Sequence, residues 1–167
     1  MIRRLDAADG DLAIPFLQTE FDATVLEPEP QLRAELAGSF AVPARWWGAF
    51  AEDRLVGVCR AFALPAIETL WVAHLRVDPA ARGRGIAAEL LRQGPPEWTV
   101  VVEAEPGDSA EYYARLGWTT VWERYFQPSL SADGDDVPFR LMADRPVADP
   151  ERFVRDLYRI GWADNPR

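Results

Sequence analysis

The stretch HLRVDPAARGRGIAAELL, residues 74–91, passes from a strand through a turn into a helix. HLRV is β-forming, and Asp78-Pro79 ends the strand because proline donates no hydrogen bond to a sheet. The apolar residues that follow recur at helical spacing and predict a helix over residues 85–93. They are Ile86, Ala87, Leu90 and Leu91. The stretch therefore predicts a strand–turn–helix unit with an unusual turn, DPAARGRG.

That turn has the composition of an anion site. Gly83 and Gly85 can adopt backbone angles closed to other residues and let a ligand approach the main chain. The helix start offers free N–H groups and a partial positive charge, to which Arg82 and Arg84 add fixed cations. Two other interpretations stay open, a plain turn with solvated arginines and an Arg-Gly element for nucleic acid. The turn lacks the Gly-Lys-Ser/Thr of a Walker loop and the third glycine of G-x-G-x-x-G.

Outward from this unit, periodicity and turn residues predict five helices and six strands. The helices cover residues 11–21, 30–38, 85–93, 108–117 and 147–162. The strands comprise a hairpin within 45–64 and runs at 68–77, 98–105, 119–126 and 136–143. This order predicts an α/β (α+β) domain with a central mixed, mostly antiparallel sheet flanked by helices. We place the main domain at residues 1–145 and a C-terminal helical extension, packed on it, at 146–167.

Composition narrows the class of protein. The net charge of −9 argues against a nucleic-acid partner, which normally meets a basic face. No apolar run approaches the ~20 residues of a membrane helix, so we expect no membrane partner. The N-terminus lacks the apolar region of a signal peptide. Cys59 is the single cysteine, which permits neither an intrachain disulfide nor a thiolate zinc cluster. We therefore expect a cytoplasmic protein without a metal, either a monomer or a homodimer.

Two motifs carry a resemblance to a known family. LRVDPAARGRGIA resembles the (Arg/Gln)-x-x-Gly-x-(Gly/Ala) core motif of the GNAT superfamily of acyl-CoA-dependent N-acyltransferases, with Arg82, Gly85 and Ala87 at the matching positions. YYARLGW, residues 112–118, resembles the family's second signature. The resemblance covers about residues 1–145 and implies a sheet that is splayed between its fourth and fifth strands.

The resemblance implies that acetyl-CoA or another acyl-CoA binds as co-substrate. The main-chain amides of the turn would hold its pyrophosphate, and the backbone of Leu75 and Val77 would pair with the pantetheine arm in the splay. The turn residues concerned are Arg82, Gly83, Arg84, Gly85, Ile86 and Ala87. The implied function is transfer of an acyl group, most simply acetyl, to a primary amine on a small molecule or peptide. The alternative is a non-catalytic acyl-CoA sensor or scaffold.

Acyl transfer needs a proton donor for the departing thiolate and a base for the amine. By the resemblance Tyr113 is the general acid, since a phenol with an ordinary pKa of about 10 is protonated at neutral pH. Its place on the apolar stripe of the predicted helix also fits a core aromatic. Cys59 is interpreted as core filler rather than a nucleophile.

The base has two candidates. Glu103 lies near the carboxyl end of its strand, where open sheets place ligands, and shares a face with Glu105. His74 is the single histidine, and strand alternation places it opposite Trp71, Leu75 and Val77. Where some relatives carry a glutamate, this chain has Trp71, so no base transfers directly by resemblance.

The acceptor pocket is expected between the N-terminal helices and the loop before the last strand. Acidic residues there would suit an amine, although a solvated acidic surface explains them equally well. They are Asp22, Glu27, Glu29, Asp133, Asp135 and Asp136.

Overall fold

A computed structural model describes residues 1–126 and 137–163 of the chain. Its strands are β1 Ile2–Arg4, β2 Ala44–Ala51, β3 Arg54–Leu64, β4 Thr69–Val77, β5 Thr99–Ala104, β6 Thr119–Phe126 and β7 Val137–Ala143. Its helices are α1 Gly10–Gln18, α2 Glu29–Leu36, α3 Ile86–Leu91, α4 Asp108–Arg115 and α5 Pro150–Ala163. Among the described helices, none is long and apolar enough to cross a membrane.

One seven-stranded sheet runs in the order β1-β2-β3-β4-β5-β7-β6. Every neighbouring pair is antiparallel except β4 and β5, which run parallel. Helices α3 and α4 pack on one face, around Leu90 and Tyr113. Helices α1, α2 and α5 cover the other, around Leu17, Leu32 and Leu157. The predicted fold class, a mostly antiparallel mixed sheet between helices, is confirmed.

The predicted hairpin joins β2 to β3 through Glu52 and Asp53. Both residues have positive φ, 48° and 64°, as a two-residue turn needs to match the twist of its strands. Strand β1 was not predicted: it has three residues, two of them arginines, and therefore shows no alternation. Helix α4 begins at Asp108 as predicted, and Gly107 occupies the position before it.

The sheet opens between β4 and β5. The two strands pair only from Thr69↔Thr99 to Val72↔Val102. On the other side of β4, Arg60 pairs with His74 and Ala61 with Val72, so Ala73 is an extra, bulged residue. Beyond the bulge β4 continues to Val77, still paired with β3 but without a paired residue on its β5 side. The predicted splay is confirmed, and a bulge stands where it begins.

The bulge corrects the predicted facing of His74. Strict alternation placed it opposite Trp71, but the extra residue shifts the pattern by one. Trp71 packs with Leu157 on the α5 face, and His74 contacts Phe21 and Arg60 on that same side of the sheet. The prediction that His74 faces away from Leu75 and Val77 agrees with the packing, because both of those lie on the α3 face.

A buried cation ties the α1–α2 region to the sheet. Arg60 of β3 is fully buried and donates two hydrogen bonds to Glu35 of α2, at 2.8 and 2.7 Å. It also donates to Glu27 at 2.6 Å, and the Trp46 ring nitrogen donates to Glu35 at 3.2 Å. Burial by itself would raise the pKa of Glu27, but the charge and hydrogen bonds of Arg60 outweigh it and hold that pKa below its ordinary value.

Replacing Arg60 with alanine should strip the counter-charge from two carboxylates. We expect Arg60→Ala to lower the free energy of unfolding by about 3–5 kcal/mol in urea denaturation, because breaking a buried pair leaves charge unpaired. The matched control is Arg115→Ala, which breaks a pair with Glu111 that is exposed on both sides and should cost less than about 1 kcal/mol. Equal losses in the two variants would contradict the assignment.

The same interaction has a pH dependence of known sign. Because the pKa of Glu27 in the folded chain lies below its ordinary value of 4.5, the stabilisation is present in full above that value. It is lost as the pH falls through the lowered pKa.

Candidate active site

The turn after β4 is built by its own side chains. The Asp78 carboxylate accepts from the Ala80 amide at 3.0 Å and shapes a single 3-10 turn, Pro79–Ala81. Gly83 and Gly85 then have φ of 76° and 75°, a conformation that disfavours any residue with a Cβ. Around either glycine, no described atom lies within 4 Å of where a Cβ would stand. The turn is therefore both left-handed and open.

Arg82 holds the turn against the strand. Its Nε donates to the Val77 carbonyl at 3.1 Å, and its own amide donates to the Pro79 carbonyl at 3.3 Å. Its Nη2 lies 3.4 Å from a Glu20 carboxylate oxygen, and Glu20 also pairs with Arg76 at 3.1 Å. With the Arg82 amide engaged, the N–H groups of residues 83–87 are those that can meet an anion, since no described side chain caps α3 at Gly85.

The open edge of β4 adjoins this turn. The Asp78 amide donates to the Val56 carbonyl at 2.8 Å, toward β3. Because backbone groups alternate along a strand, those of Leu75 and Val77 face the other way, into the gap beside β5. An extended ligand arm could pair there as an added strand. The Val77 carbonyl is already shared with Arg82, which leaves Leu75 with the freer edge.

Tyr113 of α4 lies in the core cluster on the α3 face of the sheet. Its side chain is buried, with the rings of Tyr112 and Trp118 at 5.3 and 4.9 Å. Burial, with smaller contributions from the neighbouring Cys59 and Tyr112, raises the pKa of the Tyr113 phenol above its ordinary value. A phenol in this state is a proton donor at neutral pH.

Cys59 is a packing residue. It is buried in the same cluster as Tyr113, and burial raises the pKa of its thiol to about 12. A thiol of that acidity carries almost no thiolate at neutral pH and is a poor nucleophile.

Glu103 lies on the opposite face, at the point where the strands part. It is the first residue of β5 beyond the last β4–β5 pair and is half-buried. Its carboxylate accepts a hydrogen bond from the Tyr158 hydroxyl of α5. The Tyr158 ring in turn meets Trp71 of β4 edge-on, at 5.3 Å and 90°. Glu105, predicted to share its strand face, lies past the end of β5 and is exposed.

His74 has both ring nitrogens occupied. Arg60 approaches its Nδ1 at 2.9 Å, and the Val25 carbonyl its Nε2 at 3.2 Å. A guanidinium only donates and a carbonyl only accepts, so Nδ1 is the acceptor and Nε2 carries the proton. The ring as held is a neutral connector between Arg60 and the α1–α2 segment.

The acidic residues proposed for the acceptor pocket have local partners where the structure describes them. Glu27 pairs with Arg60, Glu29 with Arg33, and Asp22 accepts from Thr24. Each of these three carboxylates is thus engaged locally, and a role toward an amine stays a prediction. The other three, Asp133, Asp135 and Asp136, lie outside the described residues.

Sequence reasoning missed Tyr158 and Arg60. Tyr158 belongs to the apolar side of α5, where Val154, Tyr158 and Gly161 follow one another at helical spacing. That signal was available, but its contact on β5 is 55 positions away and could not be read locally. Arg60 sits in a strand whose other residues are almost all buried, and a charged residue in such a run indicates a buried partner.

The candidate site thus combines the open turn after β4 with the unpaired edge of β4. The Tyr113 phenol lies on the α3 face of the sheet, and the Glu103 carboxylate lies on the α5 face. Within the described part of the chain, no group of three or more side chains is placed to hold a metal ion. The geometry suits a phosphate-bearing ligand whose extended arm enters the sheet. At the gap, proton transfers could then occur from opposite faces.

Comparisons with known proteins point in the same direction. A sequence model of the acetyltransferase (GNAT) domain matches residues 43–120. Curated protein sequences include no significant match to the chain.

Solved structures share the fold over most of their length. A GNAT-family protein from Bacteroides thetaiotaomicron superposes with a TM-score of 0.73 at 20% identity, covering 97% of this chain and 98% of that one. An aminoglycoside 6'-N-acetyltransferase complexed with coenzyme A superposes with a TM-score of 0.65 at 18% sequence identity, covering 89% of this chain and 99% of that one. Diaminobutyrate acetyltransferase from Paenibacillus lautus was solved in complex with its substrate L-2,4-diaminobutyric acid and coenzyme A. It superposes with a TM-score of 0.61 at 18% sequence identity, covering 89% of this chain and 98% of that one. At these identities the likeness is one of fold.

Proposed function

We propose that this chain is a GNAT-type N-acetyltransferase that moves the acetyl group of acetyl-CoA to a primary amine. A model of the GNAT acetyltransferase domain matches residues 43–120, and a solved GNAT-family structure shares the fold, which supports the proposal. The observation that carries the proposal is the parting of β4 and β5 beside an open, glycine-lined turn. A buried phenol lies on one side of the parting and a carboxylate on the other. We propose direct attack of the amine within a ternary complex, without a covalent enzyme intermediate.

The residues present fit coenzyme A. Amides of residues 83–87 would hold the pyrophosphate, aided by the exposed cation of Arg84, and the Leu75 backbone would pair with the pantetheine arm. Two coenzyme A complexes among the structural neighbours support this assignment. Acetyl-CoA supplies the activated acetyl group at the gap.

The proton transfers are assigned to Glu103 and Tyr113. Glu103 accepts the proton that the amine loses as the N–C bond forms, directly or through a water. Tyr113 donates a proton to the sulfur as the C–S bond breaks, and the phenol is restored from solvent. Both ring nitrogens of His74 are engaged, which favours Glu103 over His74 as the base. We assign His74 a positioning role.

The acceptor is proposed to be a small-molecule or peptide primary amine. The complex of diaminobutyrate acetyltransferase with its diamine substrate, among the neighbours of this fold, supports an amine of this class. A cytoplasmic location is also proposed, supported by the single, buried cysteine thiol.

Turnover separates this proposal from its alternative, an acyl-CoA-binding module without catalysis. Release of free CoA from acetyl-CoA should accelerate with at least one member of a panel of primary amines, and a mass increase of one acetyl group should appear on that amine. Binding of acetyl-CoA without any turnover across the panel would favour the non-catalytic module.

Tyr113→Phe should remove the general acid while keeping the ring. We expect kcat to fall roughly 10²-fold or more, the usual contribution of general acid–base catalysis, with little change in the Kd of acetyl-CoA by calorimetry. Because the raised pKa keeps the phenol protonated beyond pH 10, the wild-type rate should show no alkaline decline from this group below about that pH. An unchanged kcat would remove Tyr113 from the mechanism.

Gly85→Glu should disturb the anion turn in two ways. It forces a Cβ into a left-handed conformation and places a carboxylate where the pyrophosphate is expected. We expect calorimetric affinity for acetyl-CoA to fall at least 10-fold. Gly38→Glu is the matched control, since Gly38 also has positive φ, 71°, and open space around its Cβ, but lies after α2. Equal losses of affinity in both variants would argue against the turn as the binding site.

Glu103→Gln should remove the base without changing side-chain size. We expect kcat/KM for the amine to fall roughly 10²-fold and the pH–rate profile to lose its acidic limb. Glu105→Gln, just past the strand end and exposed, is the control and should keep both. A profile unshifted by Glu103→Gln would eliminate Glu103 as the base.

A further inference from the structure

Helix α5 brings a tyrosine to the parting of the sheet. The Tyr158 hydroxyl donates a hydrogen bond to Oε1 of Glu103 on β5, while its ring meets Trp71 on β4 edge-on. Tyr158 therefore contacts both β4 and β5, on the side of the sheet that α5 covers. Helix α5 lies beyond residue 145, in the predicted C-terminal extension, so this contact joins that extension to the sheet.

The position of α5 on the sheet is closely defined. Leu157 is fully buried beneath the helix. One turn on, a Cβ at Gly161 would stand only 2.5 Å from the Trp71 ring. A glycine at this position lets the helix backbone lie against the indole. Tyr158, between these two anchors, has its place set by packing.

Glu103 has a defined hydrogen-bond environment. A carboxylate only accepts, and Tyr158 occupies Oε1. Among described residues no hydrogen bond reaches Oε2, which leaves that oxygen for a proton from an acceptor amine. The ionisable side chains on the elements around Glu103 have partners other than Glu103. On β4, His74 contacts Arg60 and Arg76 pairs with Glu20. On β7, Arg140 pairs with Glu123, and on α5, Asp156 pairs with Arg152 and Arg159.

We propose that Tyr158 is a positioning residue, which holds the Glu103 carboxylate with Oε2 toward the gap, so that α5 completes the acceptor side of the active site. The proposal rests on the proposed function, in which Glu103 is the base. Tyr158 acts through Glu103 and transfers no proton itself. The hydroxyl restricts the carboxylate to one orientation, which is the condition for a base to meet its proton within hydrogen-bond distance.

A double-mutant cycle in kinetics tests the coupling. Tyr158→Phe should lower kcat/KM for the amine about 10-fold and leave the Kd of acetyl-CoA unchanged. In the Glu103→Gln background, adding Tyr158→Phe should change kcat/KM by less than about 2-fold, because residues that act as a unit are non-additive. Independent, multiplying losses would overturn the proposal, as would an unaffected Tyr158→Phe enzyme.

NMR can detect the hydrogen bond between Tyr158 and Glu103 independently of enzyme activity. In protein carrying ¹³C at glutamate side-chain carboxyls, Tyr158→Phe should move the Glu103 resonance, assigned through Glu103→Gln. Tyr112→Phe removes a hydroxyl on the opposite face of the sheet and should leave that resonance in place. A Glu103 resonance that ignores Tyr158→Phe would overturn the contact.

Gly161→Ala tests the helix rather than the hydroxyl. The added methyl would push α5 away from Trp71, so kcat/KM for the amine should fall as it does for Tyr158→Phe, with acetyl-CoA affinity retained and folding checked by circular dichroism. Full activity in a folded Gly161→Ala protein would overturn the role of α5. A wild-type protein that binds acetyl-CoA but acetylates no amine contradicts the proposed function instead, and the resonance then decides the contact alone.

Discussion

One extra residue in β4 governs the arrangement of the site. Up to Val72 the strand pairs with β5, and after the bulge at Ala73 it no longer does. The unpaired backbone of Leu75 is thereby turned toward a gap rather than a neighbouring strand. The same insertion places His74 on the side of α1 and α2. A single bulge thus creates both the ligand edge and the attachment of the N-terminal segment next to it.

The buried charges around Arg60 position the α1–α2 region on the sheet more than they raise the free energy of unfolding. Two carboxylates and a histidine from three separate parts of the chain converge on one fully buried guanidinium. A hydrophobic replacement of such a cluster is often neutral or stabilising, whereas loss of one partner is costly. The hydrogen bonds of Arg60 to Glu27 and of His74 to the Val25 carbonyl tie the segment after α1 to the sheet. The ion pair of Arg82 with Glu20 similarly joins the turn to the segment after α1, but both side chains are exposed.

Local chemistry made much of this predictable. Asp78-Pro79, the two glycines and the apolar stripe of α3 each act within a few residues, so the turn and its flanking elements follow from the sequence. Strand alternation failed at His74, because an inserted residue leaves no mark in a pattern of period two. Tyr158 and Glu103 meet only after α5 has docked, and the contact depends on a close approach at Gly161 that no local pattern encodes.

In the proposed reaction, the two proton transfers have different environments for a physical reason. Tyr113 sits among aromatic rings, where burial raises the pKa of its phenol and keeps it protonated. Glu103 lies half-buried on the other face and accepts a hydrogen bond from Tyr158. Were the two groups on one face, the phenol could donate to the carboxylate rather than to the sulfur. Separation by the sheet prevents that shortcut, and the gap between β4 and β5 is the place where one substrate can meet both groups.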